Sequence, residues 1–380
     1  MALMNPFRPG GPVEPEYFTG RKDEIKLFER FLKSTKNGNP FNIAVLGERG
    51  IGKTSLLRKF EDNAEKSGCI AVRGSLDPSI SNLPELCTYI LELMREKGVG
   101  KSGRIKEFFK KYNLERVKIN ILGLQAEIKK GYTGSLQITF RKELEEIWKN
   151  VGKETGGIIL LIDEAEQLEN IKGSLPFLRN VFQSLSEKRA GYMLILSGKL
   201  ELFRKIKDIH SPLARFLRPI HLCNLLDDEV KEAIIKPLEN TVKIDENVLT
   251  KVIEESAGHP YIVQVFGYML FENMKDKKID IKIFEKTYPE IIRFLSAQFF
   301  NDLYYIASDS EREILRVIAS LDKNMFSPND IVEKSGKSSK RVSTCFQRLV
   351  EKDAIRKLSR GNYELYHKLF KKYLKSKTEK

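Results

Sequence analysis

Continuous apolar runs alternate with helical periodicities over the first two hundred residues. Phe41-Asn42-Ile43-Ala44-Val45-Leu46, Cys69-Ile70-Ala71-Val72-Arg73, Ile158-Ile159-Leu160-Leu161-Ile162 and Tyr192-Met193-Leu194-Ile195-Leu196 have the unbroken character of parallel strands buried on both faces. Helical patterns lie between them: Arg21–Lys33, with Ile25, Phe28 and Leu32 in phase and Thr19 placed as N-cap, then Ser55 to Ala64, 83 to 97, and 140 to 150, where Trp148 reads as core. This alternation predicts an α/β fold with a parallel sheet sandwiched by helices. Val117–Ile128 alternates in part, and Gly131-Tyr132-Thr133-Gly134 suits a turn, which predicts a β-hairpin-like insertion at about 100–140.

Outside this region the pattern changes. Residues 1–20 carry Pro6, Pro9, Gly10, Gly11, Pro12 and Pro15, which favour an extended arm. The core then runs over 21–226, and 227–304 is helical throughout. Over 305–380 the order is helix (Glu311–Ser320), short helix (Pro328–Lys334), turn and amphipathic helix (Ser339–Lys352). Two short strands around Ser359-Arg360-Gly361-Asn362 follow, which is the outline of a winged helix.

Composition narrows the classes. The 380 residues hold 66 basic and 52 acidic side chains, a formal charge of +14 that suits a polyanionic partner. The four cysteines and four histidines are scattered without metal-ligand spacing. No apolar stretch reaches membrane-spanning length and no secretory signal opens the chain, so a cytoplasmic protein with no membrane partner is expected.

The sharpest chemistry follows the first strand. Gly47, Glu48, Arg49, Gly50, Ile51, Gly52, Lys53 and Thr54 spell G-x-x-x-x-G-K-T between a strand and a helix, with Ser55 next. Glycines there let backbone N–H groups turn around a phosphate at the positive end of the helix. Lys53 can then reach the β- and γ-phosphates of ATP, and Thr54 can ligate Mg²⁺. Asp163 and Glu164 end the third apolar run. Asp163 is the second candidate for the Mg²⁺ shell, and Glu164 is the candidate catalytic group that polarises water. These motifs specify the fold as a P-loop NTPase sheet, followed by a helical subdomain and a C-terminal winged-helix domain.

Three further positions are candidates. Ser197, at the tip of the next run, can meet the γ-phosphate or the attacking water. Arg215 or Arg218 can supply a transition-state cation, within the chain or to a neighbouring subunit of a homo-oligomer, with Arg215 favoured. Gly258-His259-Pro260 interrupts the helical region, where Pro260 can open a helix and His259 can approach phosphates.

Asn5-Pro6-Phe7, Phe18-Thr19-Gly20-Arg21-Lys22-Asp23-Glu24, the phosphate loop, Asp163-Glu164 and Gly258-His259-Pro260 occur in this order. The series resembles the archaeal P-loop ATPases of the STAND class, relatives of AAA+ and of origin-recognition initiators, over residues 5 to 300. The resemblance implies that Phe18, Gly20, Arg21 and Glu24 bind nucleotide and that Gly258 and Pro260 form the family's G-x-P motif. Initiators carry an arginine in that second sensor region. Its absence here favours a switch-like ATPase.

From residue 330 on, fifteen Lys and Arg stand against six Asp and Glu. Lys337, Lys340, Arg341 and Arg348 fall on or beside the expected recognition helix, and Arg356, Lys357 and Arg360 on the expected wing, which points to double-stranded DNA. The combined expectation is an ATP- and Mg²⁺-dependent ATPase that couples nucleotide state, ATP or ADP, to DNA binding. A nucleotide-gated signalling or defence scaffold with a protein-binding winged helix, and a replication or plasmid-maintenance initiator, are the alternatives.

Overall fold

The computed structural model describes residues 4–124, 133–200, 215–239 and 241–377. The chain divides into two compact units, residues 12–223 and residues 1–11 with 224–380.

The first unit opens with helix α1 (Lys22–Lys36), strand β1 (Asn42–Leu46), helix α2 (Lys53–Lys66) and strand β2 (Ile70–Ser75). Helices α3 (Leu83–Val99), α4 (Gly103–Lys111), α5 (Leu114–Gly123) and α6 (Gly134–Val151) follow. Strand β3 (Ile158–Asp163), helix α7 (Ser174–Glu187), strand β4 (Tyr192–Gly198) and strand β5 (Leu217–His221) complete it. The sheet is parallel throughout, in the order β2-β3-β4-β1-β5.

Every residue of β1, β3 and β4 is buried, because helices cover both faces of the sheet. Alternate side chains divide between two cores. Ala44, Leu46, Leu160, Ile162, Leu194 and Leu196 join the face under α3, α6 and α7. Ile43, Val45, Ile159, Leu161 and Ile195 join the face under α1 and α2. The expected sheet is thus present, and it places the ends of β1, β3 and β4 side by side.

Three expectations are corrected. The insertion is helical over Leu114–Gly123, not a hairpin. Leu114, Val117 and Ile121 are its buried positions, a helical spacing that mimics alternation over a short window. Residues 125–132, including Gly131 and Tyr132 of the expected turn, lie outside the described residues. Thr19 does not cap α1; Arg21 holds that place, with φ of 57°. Leu217–His221 is a fifth strand beyond the four apolar runs, so Arg218 lies on the sheet edge. Pro219 is tolerated there because the strand pairs on one side.

The second unit starts with the arm. Phe7 is 2% exposed and packs on Gly267, where an added Cβ would lie 2.4 Å from the ring. The Asn5 amide donates to Tyr268 O at 3.1 Å and Glu272 Oε1 at 2.7 Å. Helices α8 (Asp227–Leu238), α9 (Glu246–Ser256), α10 (Pro260–Glu272), α11 (Ile281–Leu295) and α12 (Asn301–Tyr305) form the first part, with two short strands, β6 (Lys243–Ile244) and β7 (Lys278–Ile279), paired parallel.

The chain continues through α13 (Asp309–Ala319), β8 (Met325–Phe326), α14 (Pro328–Ser335), α15 (Ser339–Glu351), β9 (Ile355–Ser359), β10 (Asn362–Leu365) and α16 (Lys368–Ser376). Capping boxes set two of these starts, Ser308 with Glu311 and Ser327 with Asp330. The last three strands form an antiparallel sheet in the order β8-β10-β9, with Gly361 at φ 83° turning the hairpin. Residues 227–304 and 305–380, expected as separate pieces, share one continuous apolar core.

Candidate nucleotide site

Residues 47–54 leave the carboxyl end of β1 and enter α2. Gly50 and Gly52 adopt φ of 76° and 93°, a left-handed backbone that glycine takes without steric cost. The Gly47 N–H donates to Gly198 O at 3.3 Å, tying the loop to the end of β4. Lys53 Nζ donates to the carbonyls of Gly47 and Glu48 at 3.0 and 2.9 Å. The ammonium is therefore folded over its own loop.

Thr54 Oγ1 donates to Asp163 Oδ2 at 2.6 Å across 109 residues of sequence. Asp163 Oδ1 accepts from the Glu164 N–H at 3.0 Å. Both carboxylate oxygens are thus held, and Asp163 is 5% exposed. A hydroxyl beside a carboxylate is the hard-oxygen pair that Mg²⁺ takes alongside its waters, so these residues fit the expected ion. Among the described residues there is no further cluster of three or more His, Cys, Asp and Glu that could hold a metal.

Glu164 is strained and electrostatically uncomfortable. Its φ is 54°, which costs about 1–3 kcal/mol in a residue that is not glycine. Its carboxyl is held above the usual carboxylate range, first by lost hydration, then by Glu166 beside it and by Asp163, with Lys53 opposing. Ser197 is fully buried at the end of β4, and among the described residues its Oγ has no hydrogen-bond partner. The structure therefore brings together the loop, Lys53, Thr54, Asp163, Glu164 and Ser197 at one end of the sheet.

The remaining candidates are placed differently. Phe18 is half-buried against the α1/α2 core. Arg21 is 7% exposed, and its guanidinium donates to the carbonyls of Ile51 and Cys223 while Glu24 Oε1 lies 3.9 Å away. Ser55 accepts the Val13 N–H at 3.1 Å. Arg58 donates to Pro12 O at 3.2 Å and pairs with Glu14 at 3.1 Å. Residues 12–15 are thus moored to α2, an arrangement that no sequence signal announced.

Arg215 is exposed just before β5, and Arg218 is exposed on it; Ser211–Ala214 lie outside the described residues. His259 belongs to the other unit. It is 0% exposed, its Nε2 is hydrogen-bonded to the Tyr366 hydroxyl, and Phe299 and His367 flank it. Pro260 opens α10 at its first turn.

The basic C-terminal segment is partly self-neutralised. Lys337 pairs with Glu313 at 2.6 Å and Arg356 with Glu364 at 3.6 Å, and Arg341 donates to Ser310 Oγ at 2.7 Å. Lys340 and Arg348 on α15, and Lys357 and Arg360 on the β9–β10 hairpin, are exposed. No helix among the described residues is long and apolar enough to cross a membrane.

Comparison with known proteins agrees with this geometry. Residues 17–196 match the AAA ATPase domain family, and residues 297–374 match a domain of unknown function (DUF8462). An uncharacterized helix-turn-helix-type transcriptional regulator of Methanocaldococcus jannaschii is 25% identical over 372 residues, covering 94% of this chain and 87% of its own. A Walker-type ATPase of Pyrococcus abyssi superposes with a TM-score of 0.65 at 19% identity, over 96% of this chain and 98% of that one. The ORC2 protein of Aeropyrum pernix, solved as ADPNP–ADP complexes, has a TM-score of 0.58 at 15% identity, over 97% and 96% of the two chains. Residues 17–196 thus resemble the AAA ATPase domain family, within a P-loop NTPase fold shared with these two archaeal proteins.

Proposed function

We propose that the protein binds and hydrolyses ATP at the loop Gly47–Thr54 and uses the nucleotide state as a switch on DNA binding by a winged helix at residues 305–380. The observation that carries the first half is the Thr54–Asp163 contact of 2.6 Å, because it joins two sequence-distant oxygens where a triphosphate and its cation need them. Magnesium held by Thr54 and Asp163 would neutralise charge on the β- and γ-phosphates.

The protein's own groups do the rest. Lys53 exchanges the Gly47 and Glu48 carbonyls for phosphate oxygens. Glu164 orients water for in-line attack on the γ-phosphorus and accepts hydrogen bonds from it. The attack breaks the bond to the β-bridging oxygen, ADP leaves, and the water proton passes to Glu164 or to the phosphate released. The Ser197 hydroxyl is a donor for the γ-phosphate or the water, and Arg215 or Arg218 is the candidate cation, from the same chain or a neighbouring copy.

The DNA half is supported by the exposed Lys340, Arg348, Lys357 and Arg360, by the helix–turn–helix and hairpin order of 309–365, and by the name of the Methanocaldococcus relative. Phosphate contacts from these cations give affinity that falls steeply with salt. The experiment is ATPase turnover of the full chain with and without duplex DNA at two salt concentrations. Turnover that responds to DNA at low salt supports the switch; turnover indifferent to DNA, with no salt-sensitive DNA binding, removes it.

A further inference from the structure

Arg21 stands in the segment that the family resemblance assigns to the nucleotide, yet its side chain is turned onto the protein. Gly20 and Arg21 both have left-handed backbones, φ 69° and 57°. Arginine takes that conformation at a steric cost that neighbouring structure must offset. The guanidinium is buried and donates to Ile51 O within the phosphate loop and to Cys223 O, with Glu24 Oε1 3.9 Å away. Cys223 follows Leu222, whose N–H donates to Leu46 O at the end of β1 at 2.8 Å. One guanidinium nitrogen, Nη2, therefore bridges the loop and the segment that β1 anchors.

A trans peptide unit points its C=O and N–H in opposite directions. With the Ile51 oxygen held toward Arg21, the Gly52 N–H is aimed to the opposite side of the loop. We propose that Arg21 is a positioning residue for the phosphate loop: through the Ile51 and Cys223 carbonyls it keeps the Gly52 N–H aimed at bound phosphate, and it makes no contact with the nucleoside. The inference rests on the reading of Gly47–Thr54 as a triphosphate site.

A loop-positioning group and a nucleoside contact differ in one measurable way. Loss of a positioning group weakens every ligand that fills the loop, whether or not it carries adenosine. The test measures binding of ATP and of inorganic tripolyphosphate, both with Mg²⁺, to the full wild-type chain, Arg21→Ala, Arg21→Lys and Lys53→Ala. We expect Arg21→Ala to weaken both ligands by the same factor, about tenfold or more, and Arg21→Lys to weaken both by a smaller common factor. If ATP weakens while tripolyphosphate does not, Arg21 contacts the nucleoside and the proposal is overturned; if neither weakens, it positions nothing. Arg21→Lys carries the same comparison should Arg21→Ala fail to fold. Lys53→Ala separates the two layers: undiminished binding of both ligands by that variant would refute the loop reading itself.

Discussion

Two polar constellations in this molecule look alike in sequence and differ in build. At the end of the parallel sheet, Lys53 rests on two loop carbonyls and Thr54 on Asp163. These are half-buried groups whose partners a phosphate or a cation can replace. Around Gly258-His259-Pro260, His259 is sealed against Tyr366, His367 Nε2 donates to Ser256 O at 2.8 Å, and His367 Nδ1 accepts the Leu369 N–H at 3.1 Å. Here Gly258 has φ of 72°, and a Cβ on it would lie 2.2 Å from Leu225 O. In the proposed function the first constellation exchanges these partners for phosphate and cation. The second joins α9 and α10 to the strand and helix at 365–376, where an orphaned polar group costs about 1–3 kcal/mol.

Substitutions can break that contrast, and the largest effect belongs to the loop. Lys53→Ala should weaken ATP binding about 100-fold or more, roughly 3 kcal/mol, with an unchanged melting temperature, as equilibrium binding and a thermal melt would read. Next is the pH response of the buried cluster. Burial first, then Arg356 and Lys368, lower His367 from 6.5 to about 4, against the stabilising Ser256 bond and Glu255. The folded state therefore binds fewer protons than the unfolded state between pH 6.5 and 4. The stability is present in full above pH 6.5 and falls as pH drops through that window, by up to about 3 kcal/mol. Hydrogen exchange of residues 246–256 and 368–376 at pH 7 and pH 4.5 should register the loss, and His367→Gln should flatten it.

His259→Ala should follow, destabilising the second unit by about 2 kcal/mol through a lost hydrogen bond and a cavity while ATP affinity is retained. A large drop in ATP affinity without destabilisation would erase the distinction drawn between the two constellations. The smallest effects lie on the basic surface. Lys340→Ala with Arg348→Ala should cut duplex-DNA affinity about tenfold and lower the salt slope by about two. Lys337→Ala should change it less than about threefold, because Glu313 already holds that ammonium.

What the sequence revealed follows the range of the interactions. The glycine loop between β1 and α2 was legible because strand, glycines and helix are contiguous, and β3 and β4 because a strand buried on both faces is apolar without interruption. The strand β5 was not, since Leu217–His221 is short, holds Pro219 and alternates poorly. Residues 114–123 misled because Leu114, Val117 and Ile121 fit two periods over so few positions. The environment of His259 was out of reach, as its partner Tyr366 lies 107 residues on. Charge counting likewise missed that Lys337 and Arg356 are paired with Glu313 and Glu364. The placement of Arg21 on backbone carbonyls had no sequence signal at all.

The central claim is that Gly47–Thr54, Asp163 and Glu164 form one hydrolytic site. Its most direct test is Glu164→Gln, with ATP binding and single-turnover hydrolysis measured on the same preparation. ATP affinity should stay within about threefold of wild type while the hydrolysis rate falls by about 10² to 10⁴. Hydrolysis by Glu164→Gln at the wild-type rate would contradict the claim.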